Sequence, residues 1–398
     1  MKIRHFVSLL LLVCILSSCN VISVDNTEFS QLLQIQQVGN STIAKDLLDE
    51  QMRQNYEWIE QGVYSLQTNI NLKHLSQDKL KKLVEFYKAD NPQVFWLASD
   101  YGYDYNVFTK DVSNIRFSYD YRDATTGQEI TYTKHMVEEM NLMVETQARL
   151  ILNGISSDMS EYQKVQYLHD YLAKSITYDE SGSFAHNIYG ALVEKRAVCD
   201  GYAFAFQYLL TQIGMESRIV YGISLENVPH AWNVVKIDGN YYHIDVTWDS
   251  PLDGASEIVY TNFNLTDQQV MENRIIHSPF IGEPSSEYDC FVPIPHCENT
   301  DYYYYRYYGL YIDQLNDDTI QYIVDLLSQT VERRDTSIQL KFASQQMVDE
   351  FMQMVDDGVH IAFRKFPYST ATMSTSIITN GDSGLMIFQV EYLDDLTD

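Results

Sequence analysis

Hydrophobic and polar positions along the chain follow two periods, and these mark out its elements. From Ser76 onward Leu80, Leu83, Val84 and Tyr87 recur on one side of a helix. Asp90-Asn91-Pro92 ends that run, because the residue before proline avoids the helical backbone. Ile115 to Tyr121 and Glu129 to Tyr132 read as strands around the turn-like Asp123-Ala124-Thr125-Thr126-Gly127. Two long helices are expected next, over Lys134 to Leu152 and Glu161 to Ile176. The second opens on Ser160-Glu161-Tyr162-Gln163, a capping-box pattern, and turns Val165, Leu168 and Leu172 to a core. A further helix is expected from Cys199 to Ile213, stopped by Gly214. A β-type run covers Arg218 to Ile223. Then His230 to Ile237 and Tyr241 to Trp248 flank Asp238-Gly239, one of the strongest short hairpin signals.

From Glu283 the character changes. Helix-like stretches (Asp313 to Glu332, Gln345 to Val355) alternate with strand-like ones (Ser337 to Phe342, His360 to Phe366, Gly384 to Tyr392). The expected class is α+β, with a leader at 1–19, a mostly helical or α+β N-terminal region at 20–155, a core at 156–282 and a separate α+β domain at 283–398.

Composition narrows the function classes. Lys and Arg total 27 against 55 Asp and Glu, a formal net charge of −28, so phosphate backbones would repel the chain and nucleic acid is an unfavourable partner. Hydrophobic content of 45% and charged content of 21% are those of a globular protein. The start is a targeting signal. Lys2 and Arg4 precede an apolar run from Phe6 to Leu16, too short to span a bilayer. It ends in Leu16-Ser17-Ser18-Cys19, which resembles the bacterial lipobox and makes Cys19 the expected lipidated mature N-terminus. The chain is therefore expected to sit outside the cytoplasm, tethered to a bacterial membrane.

Five cysteines are present, and Cys14 and Cys19 belong to the leader. Cys290 and Cys297 are spaced either for a local disulfide or for two free thiols. Cys199 has no obvious partner. It lies in Ala197-Val198-Cys199-Asp200-Gly201-Tyr202-Ala203 at an expected helix start, where the dipole and free amides favour a thiolate. The hairpin supplies its companions. With Asp238 and Gly239 as the loop, Ile237 pairs with Asn240, His230 falls opposite Thr247, and Asp245 is the diagonal neighbour of His230 on the same face. A carboxylate there can fix the imidazole tautomer. A one-residue slip would part the two.

These blocks, with His230-Ala231-Trp232-Asn233 and Tyr241-Tyr242-His243-Ile244-Asp245-Val246-Thr247-Trp248-Asp249, resemble the bacterial transglutaminase-like superfamily. The resemblance covers about Ser160 to Ser278. It implies a papain-like α+β core with Cys199 as nucleophile, His230 as general base then acid, and Asp245 as the orienting acid. It needs no cofactor. The Cys199 amide is one expected oxyanion donor, and Tyr189 or Asn187 are candidates for a second.

Other residues carry weaker signals. Cys199, His230, His243 and Asp245 together could hold zinc, but short metal-ligand spacing is missing. Trp232 and Trp248 read as packing residues or groove walls, and His169, His186 and His277 have no evident partner. The run Tyr302 to Tyr308 reads as an edge strand with half its tyrosines buried. The resemblance implies acyl transfer through a Cys199 thioester on a protein or peptide substrate, cell-wall peptide included, with hydrolysis expected over cross-linking. The rival is a surface binding or adhesion protein that keeps the fold without the activity.

Overall fold

The computed structural model describes residues 43–251, 257–281, 290–356, 371–378 and 384–392. The leader with Cys19 and the strand expected over His360 to Phe366 lie outside the described residues.

A short helix α1 (Ile43–Asp46) begins on the carboxylate of Asp90, which accepts from the amides of Ala44 (2.9 Å) and Lys45 (2.8 Å). Helix α2 (Glu50–Tyr64) is capped by Asp49, and β1 (Asn69–Leu75) follows. Helix α3 (Gln77–Asp90) starts on Ser76 and buries Leu80, Leu83, Val84 and Tyr87, the stripe its periodicity predicts. β2 (Tyr101–Tyr105) and β3 (Val112–Phe117) complete an antiparallel sheet of order β1-β3-β2, so this region carries a sheet beside its helices. The strand expected over Ile115 to Tyr121 is two strands. β3 ends at Phe117, and β4 (Asp120–Arg122) pairs instead with β5 (Glu129–Thr131).

Helix α4 (Lys134–Leu152) has the expected bounds, helix α5 (Glu161–Ser175) ends one residue before the expected Ile176, and the Ser160/Gln163 capping box is formed in both directions. β6 (Thr177–Tyr178) pairs in parallel with β7 (Arg196–Ala197), which leads directly into helix α6 (Cys199–Gln212). The central sheet contains β8 (Ser217–Ser224), β9 (Pro229–Ile237), β10 (Asn240–Ile244), β11 (Phe263–Leu265) and β12 (Arg274–Ile276), in the antiparallel order β11-β10-β9-β8-β12. Leu168 and Leu172 of α5 and Phe206 and Leu209 of α6 share one core with Val235, Ile237, Tyr242 and Ile244 of the sheet. A second core collects Val220, Trp232 and Val234 with Tyr305, Leu385 and Ile387.

The hairpin register is the expected one from Ile237↔Asn240 to Asn233↔Ile244, with Asp238 (φ 47°) and Gly239 (φ 87°) both in the left-handed turn region. One part of the expectation is corrected. β10 stops at Ile244 and does not run on to Trp248. Asp245 caps a single helical turn, α7 (Val246–Asp249), by accepting from the Trp248 amide at 3.1 Å, while its own amide donates to the Asn262 carbonyl at 2.9 Å. Thr247 therefore never pairs with His230.

The described remainder has helix α8 (Asp267–Met271), helix α9 (Tyr304–Tyr307), β13 (Tyr311–Ile312), helix α10 (Asp317–Glu332), β14 (Ser337–Phe342), helix α11 (Gln345–Asp356), β15 (Ala371–Ile378) and β16 (Leu385–Tyr392). Its sheet has the order β13-β14-β16-β15, and Leu340, Phe342, Met386 and Phe388 share a core with Ile320, Ile323, Leu327, Val348 and Phe351. The tyrosine run forms the helical turn α9 and not an edge strand. Its rings dock where a strand could not place them: Tyr307 stacks on Tyr162 of α5 at 4.2 Å, Tyr304 on Tyr260 at 3.7 Å, and the Tyr302 hydroxyl donates to Asp238 at the hairpin tip. The protein is thus α+β throughout its described parts.

Gly222 of β8 faces His230 across the sheet ladder. A Cβ there would lie 2.3 Å from the Ile275 carbonyl oxygen and 2.7 Å from the Trp232 ring, so two neighbours approach as closely as glycine allows. Gly222→Ala should lower the unfolding free energy by about 1–3 kcal/mol, the usual cost of overpacking. Denaturant titration checks this, and an unchanged midpoint would contradict the close approach.

Candidate functional site

The site starts at the junction of β7 and α6. Asp179 donates its amide to the Ala197 carbonyl at 3.1 Å, and Val198 donates to the Ala185 carbonyl at 3.0 Å, so the backbone entering the helix is held on both sides. Gly201, in the first turn, lets the 184–190 segment lie against the helix: a Cβ would meet the Ala185 carbonyl oxygen at 2.6 Å. Cys199 is the first residue of α6 and is half-buried. Its amide belongs to the first helical turn, whose N–H groups lack intrahelical acceptors. That is where an oxyanion would be received.

Of the two residues expected to offer a second donor, Tyr189 and Asn187, both backbone amides are already engaged. The Asn187 side chain accepts from the Tyr189 amide at 3.0 Å and from the Gly190 amide at 3.4 Å, capping the π-helical turn Gly190–Glu194. The Asn187 amide is likewise spent on the Phe184 carbonyl at 3.1 Å.

His230 enters from β9. Three following residues explain why it is held firmly. Ala231 is small and packs with Ala203 of α6, Trp232 stacks on the imidazole at 5.8 Å, and Asn233 donates to the Ala203 carbonyl at 3.1 Å. Trp248 stacks on the same ring at 4.8 Å. Both tryptophans are therefore walls of the site. The His230 Nε2 is 2.6 Å from the Asp245 Oδ2, and Asp245 is 1% exposed. Nδ1 is left for the Cys199 sulfur. Burial alone would push the His230 pKa down, but the charge and hydrogen bond of Asp245, with a smaller contribution from Cys199, hold it up at about 9. Burial likewise opposes ionisation of Asp245, yet His230 and then Arg274 keep its carboxyl below the usual range. Both directions favour an imidazolium beside a carboxylate at neutral pH.

The sequence reasoning missed what lies behind Asp245. Arg274 of β12 is fully buried, with Nη2 at 3.3 Å from the Oδ2 that His230 also contacts. Its guanidinium lies 3.9 Å over the Trp248 ring and hydrogen-bonds the Asn262 side-chain oxygen. Asn262 in turn donates from its amide (2.9 Å) and side chain (3.1 Å) to Asp249 Oδ1. Asp249 Oδ2 meets His169 Nε2 at 3.2 Å, and His169 Nδ1 meets Asp170 at 2.9 Å. His169 is completely buried. Burial opposes its charge, but the two carboxylates on its two nitrogens win and raise it to about 9. Nothing in Asn273-Arg274-Ile275 distinguishes Arg274 by spacing. Asp249 does close the block that carries Asp245, and an acid four residues on was the available signal.

The other sequence candidates separate. His186, mostly exposed, pairs with Asp200 at 3.1 Å, next to Cys199 in the chain. Cys290 and Cys297 are both buried free thiols. His243 does not join Cys199, His230 and Asp245 in a metal set, because Ile244 ends the strand between them. It meets Asp267 (2.9 Å) instead, and with Asp267 and Cys297 it brings donor atoms within 4.8 Å of one another. The hydrogen bonds disfavour a metal there. His243 Nδ1 accepts from the indole N–H of Trp232 at 3.0 Å, so the neutral ring carries its proton on Nε2 and gives it to Asp267. That nitrogen has no lone pair to offer, and burial keeps the ring neutral by lowering its pKa.

Residues 149–246 match the family model described as Transglutaminase-like superfamily, a span that encloses Cys199, His230 and Asp245 but not Arg274. Solved structures similar to this chain include a TGase (16% identity, TM-score 0.29, covering 56% of this chain and 59% of that one). A candidate cysteine protease from Cytophaga hutchinsonii is another (16%, TM-score 0.23, 37% and 55%). A structure of menin, described with its binding site for the MLL protein, is a third (16%, TM-score 0.24, 38% and 35%). The chain thus spans less than two thirds of the length of each. A search of curated proteins finds no match.

The buried His169 gives a pH prediction. Its folded pKa of about 9 lies above the ordinary 6.5, so its stabilisation is complete below about pH 6.5 and is lost as pH rises through about 9. Between about pH 7 and pH 9.5 this group should account for about 2 kcal/mol of lost stability. Denaturant unfolding of wild type and a folded His169→Gln variant checks it: the variant should lose less over that interval. Equal losses would show that His169 is not charged in the folded protein.

Proposed function

Residues 149–246 form a transglutaminase-like superfamily domain, and on that premise we propose that the protein is a cysteine enzyme acting on amide or peptide bonds through a Cys199 thioester. The observation that carries this is the 2.6 Å contact between buried Asp245 and His230, beside a cysteine at a helix start. The chemistry then follows from the geometry. The Cys199 sulfur attacks the carbonyl carbon while the His230 imidazolium is present, and the Cys199 amide receives the developing oxyanion. As the C–N bond breaks, His230 gives its Nδ1 proton to the departing amine. The neutral imidazole then takes a proton from water, whose oxygen attacks the thioester; the acid and the Cys199 thiolate are released and the imidazolium is restored. Asp245 keeps the ring oriented with Nε2 directed to the carboxylate throughout.

Water is taken as the second nucleophile by default, since the sequence carries no recognisable amine-acceptor motif. The leader motif at Leu16-Ser17-Ser18-Cys19 supports an extracytoplasmic enzyme anchored to a bacterial membrane by lipid on Cys19, with protein or cell-wall peptide as substrate.

The test is incubation of casein with the full chain and dansylcadaverine, followed by mass spectrometry of the products. The expected outcome is peptide cleavage or glutamine deamidation without dansyl label, abolished in Cys199→Ala. Incorporation of the label would replace hydrolysis by cross-linking. Iodoacetamide on the same samples reports the thiol itself: Cys199 should be alkylated at about pH 6 faster than in His230→Ala. Equal slow alkylation in both, with no product from casein, would overturn the enzyme reading.

A further inference from the structure

Buried charges must be compensated in every state a site passes through. When His230 gives its proton to a leaving group, the carboxylate of Asp245 loses its partner while remaining 1% exposed. A buried, unpaired carboxylate is costly, so an isolated His–Asp pair would resist the neutral imidazole that thioester hydrolysis needs. A second cation is already in place. Arg274 Nη2 lies 3.3 Å from the same Asp245 oxygen, and its side chain is fully buried. It bridges that oxygen to the Asn262 side chain, and its plane stacks on Trp248, whose ring also stacks on His230. Its Nε and Nη1 have no hydrogen-bond partner, so the guanidinium is not placed there to satisfy its own donors. It is placed by the carboxylate and the rings.

We propose that Arg274 is a positioning residue of the triad: it holds Asp245 as a carboxylate while His230 alternates between imidazolium and imidazole. This rests on the triad reading of Cys199, His230 and Asp245. Arg274 acts through Asp245, the carboxylate it shares with His230. It makes the second half of the cycle accessible by weakening the grip of Asp245 on the imidazole proton. The titratable and charged groups facing this arrangement are Cys199 from α6, Asp245 and Asp249 from the ends of α7, and Arg274 from β12.

The experiment is an NMR titration of the His230 ring in the full chain with labelled histidine, the resonance identified by its loss in His230→Gln. Wild type should titrate near about 9. Arg274→Gln, which removes the charge, should move the His230 titration upward by about one pH unit, the low end of what one nearby charge does. Arg274→Lys, which keeps it, should stay close to wild type. In an Asp245→Asn background Arg274→Gln should no longer raise the titration, because its route is gone; a purely structural arginine would give no such dependence. A His230 titration unmoved or lowered in folded Arg274→Gln overturns the proposal. Should Arg274→Gln fail to fold, the Asp245→Asn/Arg274→Gln double variant removes both charges and should fold. Failure of the double variant as well would make the guanidinium a packing group and overturn the proposal. The titration does not depend on turnover, so an inert Cys199 would sink the enzyme reading and leave this result to be read on its own.

Discussion

The carboxylate of Asp245 is the contact on which the site depends, because its two oxygens serve two purposes. Oδ1 accepts the Trp248 amide and turns the chain from β10 into α7; Oδ2 meets His230 at 2.6 Å and Arg274 at 3.3 Å. The turn is what brings Trp248 over the imidazole and Asp249 into the buried chain that ends at His169. A continued strand would have sent Trp248 and Asp249 elsewhere. One side chain therefore links local backbone geometry, the orientation of the ring and the buried Asp249–His169 hydrogen bond.

The tyrosines show a related economy. Tyr302 to Tyr308 wrap α5 and the hairpin tip, and Tyr304 and Tyr305 press on Tyr260 in the segment that leads to Asn262. Asn262 supplies the carbonyl that receives the Asp245 amide and the side chain that steadies Arg274. The aromatic cluster thus supports the site from behind through large buried area, with the hydroxyls of Tyr302, Tyr305 and Tyr308 on Asp238, Gln339 and Gln166.

Much of this was readable from residue pattern. Helix bounds at Lys134–Leu152 and the capping box at Ser160 follow from local chemistry, and the hairpin register follows from Asp238-Gly239 alone. The same local reading failed at Asp245, where β-rich Val246-Thr247-Trp248 outweighed a capping aspartate in the pattern, although tertiary contact with Asn262 decides the matter. It failed likewise in the tyrosine run, whose β propensity yields to ring stacking on α5. Arg274 was invisible for a different reason. A buried cation is defined by what surrounds it, and its partners lie on segments far apart in the chain. Cys199 and His230 could be found by motif; Arg274, which shares the Asp245 carboxylate with His230, could be found only in three dimensions.

The most direct test of this account is the pre-steady-state release of p-nitrophenol from p-nitrophenyl acetate by wild type and Asp245→Asn, with circular dichroism to establish that both are folded. Asparagine can still cap α7 but cannot stabilise the imidazolium, so the account predicts a Cys199-dependent burst in wild type and a burst slowed by roughly two orders of magnitude or more in the variant. A folded Asp245→Asn protein with the wild-type burst rate would contradict it.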